Sequence, residues 1–251
     1  MEVLTFGGKR LSEFSCYWDG SEVFRRAERI IEKYEIEGIS GDIIYTGSQR
    51  YSNFVIPFNC LIKENFRGNY TALMDYLQNT DGYQILRTTE EPDCFREAVF
   101  HAMVQPQMNS FNQSGQFIIE FDCKPQLWLD EGQYERHLPR NQGTHNVYNP
   151  TYSKAYPLFR VPGNCTISFP SLGPNKKITI EGYFYAEDLM IDIKENYVRA
   201  YGAETGANYS EALYISDSWS IPYLKPGNNV VELITAHPSD TFTMKARYYR
   251  L

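Results

Sequence analysis

The residue types that could do chemistry in this chain are four histidines, two adjacent acidic pairs and five cysteines, and their spacing decides what they are worth. His101, His137, His145 and His237 are scattered, and neither a Gly-x-Ser-x-Gly turn nor a cysteine-flanking signature supplies them with a nucleophile. His137 and His145 stand eight apart in a polar stretch, near Glu131 and Glu135, a spacing that is not diagnostic of a metal site. Glycoside cleavage needs two carboxylates across a cleft, and Glu90 with Glu91 or Glu187 with Asp188 offers the residue types. Thirty-one acidic residues make such pairs unavoidable by chance, so solvated charges are the better reading. Cys16, Cys60, Cys94, Cys123 and Cys165 include no CxxC pair, which favours buried free thiols over a zinc site or a disulfide framework. The glycines between Gly38 and Gly47 match no phosphate-binding loop and read as turns. The expectation is therefore no catalytic residue, no metal and no cofactor.

The elements that would carry these residues are mostly strands. Aromatic residues make up 15% of the 251 residues, with 20 Tyr against 3 Trp, a composition that favours pleated, half-buried surfaces. Alternation is clean in Phe54, Ile56, Phe58, Cys60 and Ile62, and again across Gln116 to Lys124. Ile30, Glu32, Tyr34 and Ile36 also share one strand face, although Val23, Ala27, Ile30 and Ile31 would equally form a helical stripe. Tyr70, Leu73, Met74 and Leu77 follow the i, i+3, i+4, i+7 pattern and predict one short helix near 70–78, with Asn69 placed to cap it. Further strands are expected at 84–87, 100–104, 166–169, 177–184, 189–193, 213–215, 229–234 and 242–249.

From Asp130 to Tyr156 the alternation gives way to Gly, Asn, Pro, His and charge, and the domain boundary is expected there. The reading is all-β with one short helix: a β-rich first domain over 1–130, a connection or arm over 131–156, and a two-sheet sandwich over 157–251 whose last strand is free to return to the first domain. A formal charge of -7 with no sustained basic run argues against nucleic-acid recognition. No segment reaches the roughly 18 apolar residues that cross a bilayer, and Met1 to Arg10 lacks a signal-peptide core, so a soluble protein made inside a cell is expected.

Taken in order, several short segments resemble the distal tail (Dit) proteins of long-tailed, non-contractile phages and their prophages. Gly38-Ile39-Ser40-Gly41-Asp42 stands where that family has a Gly-x-x-Gly-Asp turn, and Gly47 and Tyr51-Ser52-Asn53 then lead into a strand. Gly82-Tyr83-Gln84-Ile85-Leu86, Glu91-Pro92-Asp93-Cys94-Phe95-Arg96 and Phe121-Asp122-Cys123-Lys124-Pro125-Gln126 follow. Asn149-Pro150-Thr151, Ala155-Tyr156-Pro157-Leu158-Phe159 and Gly163-Asn164 resemble the entry to the family's second domain, and Leu224-Lys225-Pro226-Gly227-Asn228 and Ala246-Arg247-Tyr248-Tyr249 its closing strands.

The resemblance implies a first domain that assembles into a hexameric ring and a galectin-like second domain displayed outside it. Its implied partners are copies of itself, the tail tube protein, a tail-associated tip protein and receptor-binding proteins. DNA would pass through the ring without sequence-specific binding, and no membrane insertion is implied. The implied location is the virion tail tip, after synthesis in the bacterial cytoplasm. The alternative class is a carbohydrate-binding sandwich, with Trp128 and Trp219 as stacking candidates. Against it, the lectin pattern His-x-Asn-Pro-Arg with a following Trp-x-x-Glu is absent: His145-Asn146-Val147-Tyr148-Asn149-Pro150-Thr151 lacks the Arg, and Trp219 is followed by Ser220, Ile221 and Pro222.

Overall fold

The computed structural model describes residues 3–21, 24–45, 50–108, 113–139, 143–182, 187–216, 220–235 and 241–251. The chain divides into two compact units, Met1–Leu127 with Leu251, and Trp128–Arg250.

In the first unit the strands are β1 (Leu4–Phe6), β2 (Lys9–Arg10), β3 (Cys16–Trp18), β4 (Glu32–Tyr34), β5 (Ile43–Tyr45), β6 (Phe54–Ile62), β7 (Gln84–Thr88), β8 (Cys94–Met108) and β9 (Gly115–Leu129), with one helix, α1 (Phe66–Gln78). Seven of the strands form a sheet in the order β2-β1-β7-β8-β9-β6-β3, while β4 and β5 pair only with each other. The alternation seen in the sequence fixes the register between β6 and β9. Ile56 lies opposite Phe121, Phe58 opposite Ile119 and Cys60 opposite Phe117, all buried on one face. Pro57 stands beyond the reach of β3, which pairs only with Cys60 to Ile62, so the missing N–H falls where β6 is an edge on that side.

Helix α1 lays Phe66, Leu73 and Leu77 on this face, with Tyr70 and Tyr76 half-buried beside them. Burying side chains of this size is worth about 1.5–3 kcal/mol each. The helix starts four residues earlier than its sequence stripe suggested. Asn65, in the left-handed region at φ 43°, precedes its first turn, and Asn69 lies inside the helix with its amide donating to the Glu64 carbonyl at 2.8 Å. At Gly115 a Cβ would fall 2.4 Å from the Phe66 ring, so only glycine admits that ring at the start of β9.

The second unit contains β10 (Arg136–Pro139), β11 (Thr144–Asn149), β12 (Leu158–Val161), β13 (Cys165–Ser168), β14 (Lys177–Ile180), β15 (Leu189–Ile193), β16 (Val198–Gly202), β17 (Leu213–Ile215), β18 (Gly227–Thr235), β19 (Thr241–Lys245) and β20 (Tyr249–Arg250). Ten of them, all but β20, form two five-stranded antiparallel sheets, β10-β19-β12-β15-β16 and β11-β18-β13-β14-β17. Each turns an alternating apolar side inward: Phe159, Ile191, Phe242 and Met244 from one, Val147, Ile167, Ile178 and Val231 from the other. Phe159 of β12 meets Phe169, just after β13, edge to face at 6.2 Å between ring centroids.

The stretch 131–156, expected as an open connection, carries β10 and β11, one in each sheet. Both are short edge strands with alternate residues in solvent, which is why their sequence reads as loop. Of the expected strand 177–184, residues 177–180 are paired and 183–184 lie outside the described residues. Mostly β structure with a single α-helix among the described residues is the architecture observed.

Candidate assembly surface

The residues weighed for catalysis are used structurally. Glu91 pairs with Arg26 at 3.0 Å and with Arg96 at 3.6 Å. Asp188 pairs with Arg160 at 2.6 Å, and Glu187 accepts hydrogen bonds from the backbone N–H groups of Glu204 and Thr205 at 2.9 and 3.1 Å. The Thr205 hydroxyl and these amides hold the Glu187 carboxyl below its ordinary range. Glu90 is exposed. His137 is exposed on β10 and His145 is buried on β11, in different sheets, while Glu131 pairs with Arg136 and Glu135 with Lys245. No metal-binding group of His, Cys, Asp or Glu exists among the described residues.

His101 is exposed on β8, and His237, Trp219 and Gly47 lie outside the described residues. Trp128 does not offer an open stacking face. Its ring packs on Tyr249 at 5.2 Å, and its Nε1 is buried without a hydrogen-bond partner. All five cysteines are buried, and none forms a disulfide. The described residues contain no helix long and apolar enough to cross a membrane.

What stands out is the hairpin of β4 and β5. Its base is closed by the backbone bonds Ile30 N to Arg50 O at 2.9 Å and Ser52 N to Glu28 O at 3.1 Å. Its turn uses Gly38 and Gly41 at φ 85° and 94°, conformations that suit glycine. Beyond the base, register sets Tyr34 opposite Ile43 and Glu32 opposite Tyr45 on one side, and Lys33 opposite Ile44 on the other. Every residue of both strands is exposed.

Large apolar side chains therefore point into solvent from both faces of a two-stranded ribbon. Ile30, Ile31, Tyr34, Ile36, Ile39, Ile43, Ile44 and Tyr45 are 42–58% exposed. A two-stranded hairpin is marginal by itself in water, and contiguous exposed apolar surface of this extent marks an interaction site. The ion pair of Lys33 with Asp42 at 3.6 Å is exposed and adds little.

The root of the hairpin is held firmly. Arg25 Nη1 donates to the Val55 carbonyl at 3.0 Å, and Arg26 reaches Glu91. Glu91 also faces Arg96, which is 4% exposed and lies over the Phe54 ring. Sequence reasoning found the hairpin's alternation but assigned it to an ordinary half-buried strand. What alternation could not signal is that no other described segment covers it.

No protein-family model matches the chain, and no curated relative does. Solved structures do match. The Dit protein of phage SPP1, described as a paradigm of the hub adsorption apparatus in phages that infect Gram-positive bacteria, is 14% identical, with a TM-score of 0.75 over 100% of both chains. A chain of the phage P2 baseplate in its activated conformation with calcium is 11% identical, with a TM-score of 0.55 over 97% of each chain. The corresponding strontium structure gives 11% and 0.56, again over 97% of each. The chain has the fold of the SPP1 hub protein along its whole length.

Proposed function

We propose that the chain is a structural subunit of a phage tail tip, a hub that closes into a ring of six copies and joins the tail tube to the tip. The observation that carries this reading is the hairpin: a firmly rooted ribbon, apolar on both faces, has work to do only when another molecule covers it. A closed ring gives every copy the same cover, because each heterologous contact repeats around the axis until it meets its start. The shared fold with a phage hub protein supplies the setting.

In this reading the first unit forms the ring, and the second is a galectin-like sandwich displayed outside it. The partners are copies of the chain, the tail tube protein, a tail-associated tip protein and receptor-binding proteins. The location is the virion tail tip. DNA passes through the opening, and an acidic chain does not grip its phosphates. The chain performs no chemistry: Glu91, Glu187 and Asp188, the acids best placed by sequence, are committed to ion pairs and backbone amides. Solution mass and particle symmetry test the reading directly.

A further inference from the structure

Acidic residues are missing from two runs of the second unit, and the fold sets those runs side by side. From Arg136 to Ile180 the chain contains no Asp or Glu, although 31 of its 251 residues are acidic. From Ser220 to Val231 it again contains none. Register places Tyr148 opposite Asn228 and Asn149 opposite Gly227, and Ala155 and Leu224 exchange backbone hydrogen bonds at 3.0 and 2.8 Å. The segments 149–155 and 224–229 are therefore neighbours.

A buried asparagine clamps each segment. Asn149 is 1% exposed; its amide donates to the carbonyls of Ser153 and Leu224 at 2.9 and 3.2 Å, and its Oδ1 accepts from the Thr151 N–H and hydroxyl at 3.0 and 2.8 Å. Asn229 repeats the device, donating to the carbonyls of Lys225 and Gly227 at 2.7 and 2.9 Å and accepting from the Lys225 N–H at 2.9 Å. Next to the buried Thr151, Tyr152 is fully exposed, and Tyr148 is 59% exposed. Lys154 and Lys225 are exposed beside them. Lys154 Nζ lies 4.7 Å from the centre of the Tyr223 ring, and neither lysine forms an ion pair among the described residues. Burial and, next, the charge of Glu195 raise the pKa of Tyr156, which packs on Tyr223 at 6.1 Å, so Glu195 acts at the margin of this surface.

We propose that these two clamped loops bind an acidic protein segment, whose carboxylates meet Lys154 and Lys225 and whose apolar groups cover the Tyr152 ring. Charge complementarity selects the occupant: two unpaired ammonium groups on acid-free loops of an acidic chain attract carboxylates and repel basic partners. Tyrosine is enriched at protein interfaces because it brings a large contact area with few rotamers to fix. The asparagine clamps hold the loops in place beforehand, which lowers the ordering cost of binding. Nucleic acid fits less well, since its closely spaced phosphates are held by many cations and two lysines neutralise few of them. The surface lies wholly within the second unit, excludes the hairpin and does not depend on ring formation.

The test selects peptides from a displayed random library on the full-length chain, with counter-selection on a variant carrying Tyr152→Ala, Lys154→Gln and Lys225→Gln. Counter-selection removes peptides held by the hairpin. The expected survivors are enriched in Asp and Glu and bind in titration calorimetry with an affinity that falls as salt rises. Tyr152→Ala alone, and the two lysine changes together, each weaken them about tenfold or more, whereas Tyr214→Ala leaves them unchanged. Light scattering of the triple variant should match that of the native chain. No survivors, survivors without acidic enrichment, displacement of the peptides by a random single-stranded oligonucleotide, or loss of self-assembly in the triple variant overturns the proposal.

Discussion

Arg26 Nη2 lies 3.0 Å from Glu91 Oε1, and the segment this pair ties down is the root of the exposed hairpin. The other oxygen of Glu91 faces Arg96, whose burial lowers the guanidinium pKa against the opposing pull of Glu91. Glu91→Gln leaves Arg96 buried without its counter-charge, at a cost of about 2–4 kcal/mol. Urea unfolding monitored on the first unit checks this through its midpoint, and an unchanged midpoint would show that the cluster contributes nothing.

In the second unit Arg247 Nη1 lies 2.7 Å from Asp192 Oδ1, and Arg247 Nε donates to the Tyr156 carbonyl at 2.6 Å. Asp192 is 3% exposed, and Arg199 and Lys194 approach it as well. Removing one partner of a buried pair costs about 3 kcal/mol or more, so Asp192→Ala should loosen β15 and the chain's end together. Hydrogen exchange on the full chain reads this out as faster exchange in 189–193 and 246–250, with β6 unaffected.

His145 is buried, its Nε2 lacks a partner, and desolvation lowers its pKa from the ordinary 6.5. The unfolded chain therefore takes up the proton first. Its contribution to stability is complete above the unfolded value near 6.5 and declines as pH falls from there towards the lower folded value. Thermal unfolding of the second unit should lose stability through this window, and His145→Gln should flatten that slope. A slope identical in the variant would assign the pH dependence elsewhere.

The five cysteines are buried, and burial pushes the Cys123 thiol up to about 12. Thiolate, the reactive form, is scarce at neutral pH. An aromatic disulfide reagent should find almost no thiol in the native chain and five after denaturation. Rapid native reaction of one or more would contradict the core described above.

Much of the fold was legible because burial imposes period two. Phe54 to Ile62 was read residue for residue, and β15 and β17 fell on their expected spans. Short polar edges were not legible: in β10, Leu138 alone is buried among Arg136, His137 and Pro139. The hairpin shows the deeper limit. Ile30, Glu32, Tyr34 and Ile36 alternate as a covered face should, but alternation reports that a face will be covered, not whether the cover belongs to the same molecule.

The central claim is that the β4–β5 hairpin is covered by a second copy of the chain in a closed ring. Light scattering and negative-stain imaging of the purified full-length chain test it most directly, alongside a variant with Ile36, Ile43, Ile44 and Tyr45 changed to serine. These four side chains are exposed, so each change should cost the folded monomer no more than about 0.5 kcal/mol. The predicted result is a sixfold annulus of six times 29.2 kDa for the native chain and a folded monomer for the variant. A native chain that stays monomeric at high concentration, or a variant that still forms the ring, would contradict the account.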